Sequence, residues 1–300
     1  MLGDRGEVYP AGDEPSLIAA ISAIFADGGP DVLGINGGDG TVHVVLTAAL
    51  NHLGHRELPL VQVLPGGTMN TVSGGYGVRG RMLGLFGHSA EAWLAALLAY
   101  PTAADVPVAR RHVLRVDGSG VPQYGFLFGN GLISNFLDVY YEGSEPTPAK
   151  ALVILGRGIL SGFVNGAAIR RLMQPARCRV ESDGEPWPHT EYLAVGAGTV
   201  DDIGFGFRVF FRCLAHPGHM QAVGIACSAL AFILQLPRVW MAWAMNDPSV
   251  VDRLPRTLKL TGDADLVYMI DGDFHRAGRE VLVVVGPELR LGTPRIGGPR

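Results

Sequence analysis

Two short glycine turns hold the residue types best suited to chemistry in this chain. The first is Asn36-Gly37-Gly38-Asp39-Gly40-Thr41 and the second is Pro65-Gly66-Gly67-Thr68-Met69-Asn70. Each follows a short apolar run, Val32–Ile35 and Pro59–Leu64 respectively. The first also opens an amphipathic run, Val42–Leu53. Glycine lets backbone N–H groups approach an anion closely, and a helix N-terminus adds partial positive charge, so such a turn can cradle phosphate. Asp39 lies in the middle of the first turn. A site built only for phosphate would not place a carboxylate there, whereas one that also manages a metal ion or a proton would. The plain reading of Asp39 is a turn residue capping the helix that follows. Two matched glycine turns favour the functional reading. Asn70 is balanced between contacting a ligand and shaping its turn, because Asn tolerates left-handed backbone. His43, on the first helical turn, reads as packed or capping.

A second constellation stands near the C-terminus. Asp271 and Asp273 close the alternating run Leu266, Tyr268, Ile270. Side chains two apart on a strand share a face, so both aspartates are expected to point the same way. One of them can then act as general base toward a hydroxyl or hold it by hydrogen bond. The plain alternative is a hairpin with Asp271-Gly272 as its turn and residues 275–279 as loop. His216 and His219 flank Pro217-Gly218 and read as surface loop. Arg79, Arg81, Arg110 and Arg111 read as solvated, or as contacts for anionic lipid headgroups.

The elements around the turns follow from periodicity. Leu17, Ile21, Ile24 and Phe25 share a helical face over 15–26, with Pro15 in the first turn and Asp27-Gly28-Gly29-Pro30 beyond the end. Val32–Ile35 is a short buried strand. Val42, Val45, Leu46, Ala49, Leu50 and Leu53 form a helical stripe. Pro59–Leu64 is the next strand, and 89–100 a further helix with Ser89 as its cap. This alternation predicts a parallel α/β sheet, whose ligands sit at the C-terminal ends of the strands. Both glycine turns lie at such ends.

From Asp105–Pro107 onward the pattern changes. Strand-like runs at His112–Val116, Tyr124–Phe128, Arg177–Glu181, Tyr192–Val195, Val209–Leu214, Thr257–Leu260, Leu266–Ile270 and Val281–Val285 predict an antiparallel sandwich or barrel. Helical patterns interrupt them at about Pro148–Leu172 and Met220–Ala244. The expected division is an α/β domain over 1–107 and a β-rich domain over 108–300. Val223–Met245 is a long apolar stretch, but Gln235, Pro237 and Arg238 cut it. Paired helices on the sheet are expected there in preference to a membrane span. Trp240 and Trp243 beside Arg238 would also suit an interfacial helix.

Composition narrows the function classes. Hydrophobic residues make up 48 % of the 300 residues and charged residues 17 %, which supports a sizeable core and argues against disorder. A net charge of −4 gives no support for nucleic-acid binding. The cysteines, Cys178, Cys213 and Cys227, show neither metal-ligand spacing nor a disulfide framework, which favours a reducing, cytoplasmic compartment. The N-terminus has no apolar segment of signal-peptide type.

The two turns together resemble the catalytic domain of the diacylglycerol kinase family, which includes bacterial lipid kinases, sphingosine kinases and ceramide kinases. Its GGDGT signature corresponds to Gly37–Thr41, and its P-x-G-T-x-N turn to Pro65–Asn70. An Asp-Gly-Glu near the C-terminus corresponds to Asp271-Gly272-Asp273. GGDGT is shared with NAD kinases, and the second turn points to the lipid branch. The resemblance implies ATP and Mg²⁺ as cofactors, with the γ-phosphate passing to a hydroxyl of a diacylglycerol-like or sphingoid-like lipid. It implies nucleotide contacts from Gly37, Gly38, Gly40, Thr41, Gly66, Gly67, Thr68 and Asn70, and catalytic roles for Asp39 and Asp273. Asp271, Asn135 and Asp138 become candidates for metal or substrate, the last two from Gly129–Asp138. The lipid is expected to enter between the domains, and the enzyme to work peripherally at the inner membrane face, with a homodimer left open. The chain departs from the family in lacking an Asn-Pro-x-Ser-Gly turn before Pro15 and in ending its last motif in Asp273 rather than Glu. A NAD-kinase-like enzyme and a non-catalytic lipid-binding protein of the same fold are the competing readings.

Overall fold

In the computed structural model, residues 2–54, 57–67, 70–78, 87–118, 120–132, 174–204 and 206–297 are described. Two compact units emerge, Met1–Arg111 with Glu288–Arg300, and His112–Pro287.

In the first unit, Asp13 starts helix α1 (Glu14–Ile24). Its carboxylate accepts the Ser16 N–H at 2.9 Å while Ser16 Oγ accepts the Asp13 N–H at 3.2 Å, a reciprocal cap. Strand β1 (Val32–Gly37) runs parallel to β2 (Leu60–Pro65), from Val32 opposite Leu60 to Gly37 opposite Pro65. Parallel neighbours need a crossover. Helix α2 (Asp39–Leu53) supplies it, burying Val42, His43, Leu46, Ala49, Leu50 and Leu53. His43 is thus packed, the first of the two readings open for it. A four-residue helix α3 (Thr71–Gly74) follows β2, and then α4 (Ala90–Leu98), capped by Ser89 Oγ on the Ala92 N–H. Tyr100 and Val106 beyond α4 pack with Leu60, and Val32 and Leu97 lie against them.

The second unit is antiparallel. Its strands in chain order are β3 (Val108–Asp117, its first residues in the first unit), β4 (Gln123–Gly125), β5 (Leu127–Gly131), β6 (Ala176–Ser182), β7 (Glu185–Pro186) and β8 (Glu191–Tyr192). They continue with β9 (Ala194–Gly198), β10 (Gln221–Ile225), β11 (Val250–Arg253), β12 (Thr257–Gly262), β13 (Val267–Ile270), β14 (Asp273–Arg276) and β15 (Glu280–Gly292). Helix α5 (Ala229–Trp240) lies between β10 and β11. One sheet has the order β11-β10-β9-β5-β13-β14. In the other, β12 pairs with β15 and β6, and β6 with β7 and β8, all antiparallel. Phe128, Val195, Ala222, Tyr268 and Ile270 of the first sheet meet Val180, Leu258, Leu260, Val281 and Val283 of the second in one buried cluster. The unit is an antiparallel sandwich, as the spacing of strand-like runs predicts.

Several expectations need correction. The division at residue 107, with all of 108–300 in the second domain, differs from the observed units. The long strand β15 carries the chain back, and Leu291 pairs in parallel with Val61 of β2. Val209–Leu214 is not a strand but a run of turns with a 3₁₀ turn at Cys213–Ala215. Its aromatic and β-branched composition imitates a strand, but the Phe210 N–H goes to Asp201 O and the Arg212 N–H to Gln221 Oε1. Met220–Ala244 is helical only from Ala229; Gln221–Ile225 is the fully buried strand β10. A short apolar run buried on both faces has no period to betray it. The helical pattern at 148–172 lies outside the described residues. Among the described residues, no helix is long and apolar enough to cross a membrane.

Candidate active site

The two glycine turns lock onto each other. Gly66 donates its N–H to Gly37 O at 3.1 Å. A Cβ on Gly67 would overlap Gly38 Cα, and one on Gly37 would sit 2.5 Å from both Cβ and Oγ1 of Thr41. A Cβ on Gly66 would come 2.9 Å from Asn36 Oδ1. At Gly67 glycine is demanded by backbone passing over backbone, and at Gly37 and Gly66 by the close side chains of Thr41 and Asn36, whatever the turns bind. Asn70 closes the second turn from within. It stands at φ 50°, ψ 43°, accepts the Gly67 N–H at 2.9 Å and donates Nδ2 to Gly67 O at 2.7 Å. The even balance drawn for Asn70 tips toward shaping the turn.

Asp39 joins the turns electrostatically. Its Oδ2 accepts the Thr71 N–H and its Oδ1 the Val72 N–H, each at 2.9 Å. It therefore caps α3, across the site, rather than its own helix. Gly38 is the N-cap of α2, and the first rung of that helix runs from Val42 N to Gly38 O. The amides of Asp39, Gly40 and Thr41 precede that rung and sit at the positive end of the helix dipole. This end of α2 is suited to an anion, while the corresponding end of α3 is filled by Asp39. Sequence reasoning missed Tyr76. Its phenol is buried among the described residues without a hydrogen-bond partner, and burial, then the Asp39 charge, push its pKa well above the usual phenol value. It stays protonated, a buried donor beside Asp39. Its aromatic ring six residues beyond Asn70 gives no sequence signal of that position.

The C-terminal carboxylates separate into two roles. Asp271 (φ 47°) and Gly272 (φ 97°) are the two loop residues of the β13–β14 hairpin, with Ile270 opposite Asp273. This is the left-handed pair that a tight hairpin requires. The same-face argument fails because a turn, not a strand, separates the two aspartates. Asp271 is 2 % exposed, and its carboxylate accepts the Phe126 N–H at 3.0 Å and the Leu127 N–H at 2.8 Å. Those bonds break the expected strand Tyr124–Phe128 into β4 and β5. Asp271 is a structural carboxylate. Asp273 opens β14 and is half-buried. Desolvation raises its pKa above the usual carboxylate value, against a lowering pull from His275. His275 shares its strand face and stacks on Tyr268, rings 5.4 Å apart. His275 and Arg276, expected as the start of a loop over 275–279, belong to strand β14.

Other candidates fall away or lie elsewhere. Thr68, Asn135, Asp138, Arg79 and Arg81 are outside the described residues. His216 is exposed in a turn that returns the His219 N–H to His216 O, as expected of a surface loop. Arg110 pairs with Glu288 at 3.0 Å on the surface. Among the described residues no group of three or more His, Cys, Asp or Glu could hold a metal ion.

A parallel α/β unit with interlocked glycine turns at its strand ends, and a separate antiparallel sandwich, is the plan of a kinase fold of the type the motifs imply. Residues 9–97 match the diacylglycerol kinase catalytic domain. The structure of a diacylglycerol kinase from Bacillus anthracis (strain Sterne) superposes with a TM-score of 0.59 at 15 % identity, over 95 % of this chain and 84 % of that one. Another kinase structure of that description from the same organism gives 0.64 at 15 % identity, over 95 % and 84 %. At that identity the likeness is one of fold. A yeast NADH kinase bound to NADH superposes at a TM-score of 0.47 with 12 % identity, over 95 % of this chain and 65 % of its own, too loosely to bear on the acceptor. No curated protein matches the chain in sequence.

Proposed function

We propose that the protein is an ATP-dependent lipid kinase that phosphorylates a hydroxyl of a diacylglycerol-like or sphingoid-like lipid at the inner membrane face. The observation that carries this is the pair of interlocked turns at the start of α2, whose first amides precede the first helical rung while Asp39 satisfies α3. Phosphoryl transfer asks the protein mainly for positioning and charge stabilisation. The amides of Asp39, Gly40 and Thr41, with the Thr41 hydroxyl, would hold phosphate oxygens of ATP. Gly38 and Gly67 let the backbones close beneath them. The lipid hydroxyl oxygen forms a bond to the γ-phosphorus as the bond to the bridging oxygen of ADP breaks, and the hydroxyl proton passes to Asp273. Its raised pKa makes it a stronger base than an ordinary carboxylate.

The donor set suits Mg²⁺ that arrives on the nucleotide. Mg²⁺ usually keeps several waters and takes one or two carboxylates plus phosphate oxygens. Asp39 is the carboxylate within the turns, and its bonds to Thr71 and Val72 fix its position. When bound, the ion would neutralise charge building on the phosphates.

A panel of diacylglycerols, sphingoid bases and NAD, incubated with labelled ATP and Mg²⁺, tests this. Label is expected in a lipid and lost in Asp273→Asn, with the variant's circular dichroism unchanged. Label in NAD alone would assign a NAD-kinase-like activity. Lipid binding with no ATP binding by calorimetry would make the protein a non-catalytic lipid-binding one.

A further inference from the structure

Most of the exposed large apolar side chains of the second unit gather in one place, while Val121, Val267 and Phe274 are exposed elsewhere in it. Leu230 (45 % exposed), Leu234 (62 %), Trp240 (62 %), Met241 (42 %) and Trp243 (54 %) all belong to α5 and the turn after it. Leu230, Leu234 and Met241 recur at helical spacing on one face, while Ile233 and Val239 anchor the helix below. Ile203 is also exposed, in the neighbouring loop that packs against the helix end through Arg208 N on Val239 O. Isolated exposed apolar residues are ordinary, but a contiguous set rimmed by polar groups marks an interaction surface.

The turn is built to hold its tryptophans out. The Trp243 N–H returns to Arg238 O at 2.8 Å, Arg238 Nε reaches Ala244 O at 2.9 Å, and the guanidinium lies 5.8 Å from the Trp243 ring centroid. Ala242 is held at φ 56°, a left-handed conformation uncommon for alanine. The Asn246 N–H bonds Gln235 Oε1 at 2.9 Å, tying the returning chain to the helix. Two ordered tryptophans therefore stand beside a cation at the edge of an apolar stripe.

The aromatic rings and the Arg238 guanidinium at the edge of the stripe select the occupant. From Ala226 to Asn246 the chain has no Asp or Glu and one Arg, Arg238. Arg208, close by, is neutralised by Asp201 at 2.6 Å. Asp202 accepts the Gly204 N–H, and Asp247 accepts the Ser249 N–H. An apolar stripe with a cation and aromatic rings at its edge complements the headgroup boundary of an anionic bilayer, where Trp and Arg place their polar ends in the headgroups. We propose that α5 and the 241–243 turn are the surface by which this protein docks on an anionic lipid bilayer. This rests on the lipid-kinase reading, which needs the acceptor presented from a membrane, and it names the surface that presents it.

The test is co-sedimentation of the full chain with phosphatidylglycerol–phosphatidylcholine vesicles, without ATP, with tryptophan quenching by brominated lipid. Trp93 and Trp187 are buried, so quenching reports Trp240 and Trp243. We expect vesicle binding, quenching of that emission, and about tenfold weaker partitioning for Leu234→Asp and for Trp243→Asp. Both positions are exposed, and unchanged melting temperatures would show that the variants fold. Turnover of a short-chain, water-soluble diacylglycerol should be unaffected in both variants. Equal vesicle binding by the variants, or no binding by the parent, would overturn the proposal. Concentration-dependent dimerisation abolished by Leu234→Asp would also overturn it, by assigning the face to a second copy. Docking without transfer to any lipid would support this surface and count only against the kinase reading.

Discussion

Asp39, Asp183 and Asp271 each direct their carboxylates at backbone amides of a distant segment. Asp39 takes Thr71 and Val72, Asp271 takes Phe126 and Leu127, and Asp183 takes Arg256 N at 3.0 Å and Thr257 N at 2.8 Å. Asp183 lies in no motif, yet it occupies the same left-handed Asp-Gly turn as Asp271. A conspicuous Asp-Gly can thus be a splint, and what separates Asp39 is the anion-ready helix end beside it. In Asp39→Asn, an NH₂ group replaces one acceptor and confronts a backbone N–H. The loss of one charge-assisted bond is expected to cost about 1–3 kcal/mol in urea denaturation and to weaken ATP binding with it. An unchanged denaturation midpoint would sink the splint role. Asp273 behaves differently. Its folded pKa is raised, so the native state holds its proton more tightly than the unfolded chain. Stability from this group is present below pH 3.8 and declines as pH rises through its folded pKa. Asp273→Asn removes that decline, so it should melt no lower than the parent at pH 7 while losing about 10²–10⁴-fold in kcat. In the parent, the acidic limb of the kcat/KM profile should lie above the ordinary carboxylate pKa.

At the scale of elements, the turn–turn contact makes a sharp prediction. Gly67→Ala drives a methyl into Gly38 and should destabilise by about 1–3 kcal/mol, with loss of nucleotide binding. Gly74 ends α3 with open space where a Cβ would go. Gly74→Ala should therefore be neutral or stabilising by about 0.4–1 kcal/mol in the same thermal melts. Equal losses in both variants would mean the turns are not interlocked. The local pattern also explains what the sequence could reveal. Helices α1, α2 and α4 were legible from Pro15 with the face Leu17, Ile21 and Ile24, from the 3.6-residue stripe through Leu46, and from the Ser89 cap, whereas the Asp13 cap of α1 was not read. The two turns were legible as motifs, but their mutual packing was not, because nothing in one turn names its neighbour. Gln221–Ile225 was unreadable as a strand because both of its faces are buried. Val209–Leu214 misled because Phe and Val suit a strand, while the Gln221 side chain takes an amide that a ladder would use. The Asp271–Asp273 geometry was lost on a parity rule that does not survive a two-residue turn.

For the whole molecule, the decisive feature is that the chain returns. Leu289 and Leu291 are almost wholly buried, and Leu291 pairs with Val61 of β2. Beyond it, Thr293 N donates to Pro107 O at 2.7 Å and Arg295 N to the Tyr100 hydroxyl at 3.2 Å. The first unit is therefore completed by residues from 288 onward, far along the chain from the rest of it, while the second closes its own core over 112–287. Non-local closure of this kind makes the first unit depend on the returning strand β15. Leu291→Ala removes a fully buried side chain, with an expected cost of about 2–5 kcal/mol. Hydrogen exchange read by peptide should place that cost in β1 and β2, while amides of β9 and β10 keep their protection. ATP binding should weaken in parallel, because Gly37 and Pro65 end those strands and carry the turns. If protection instead fell evenly across both units, they would unfold as one cooperative block, and the returning strand would stabilise the molecule as a whole rather than the glycine turns alone.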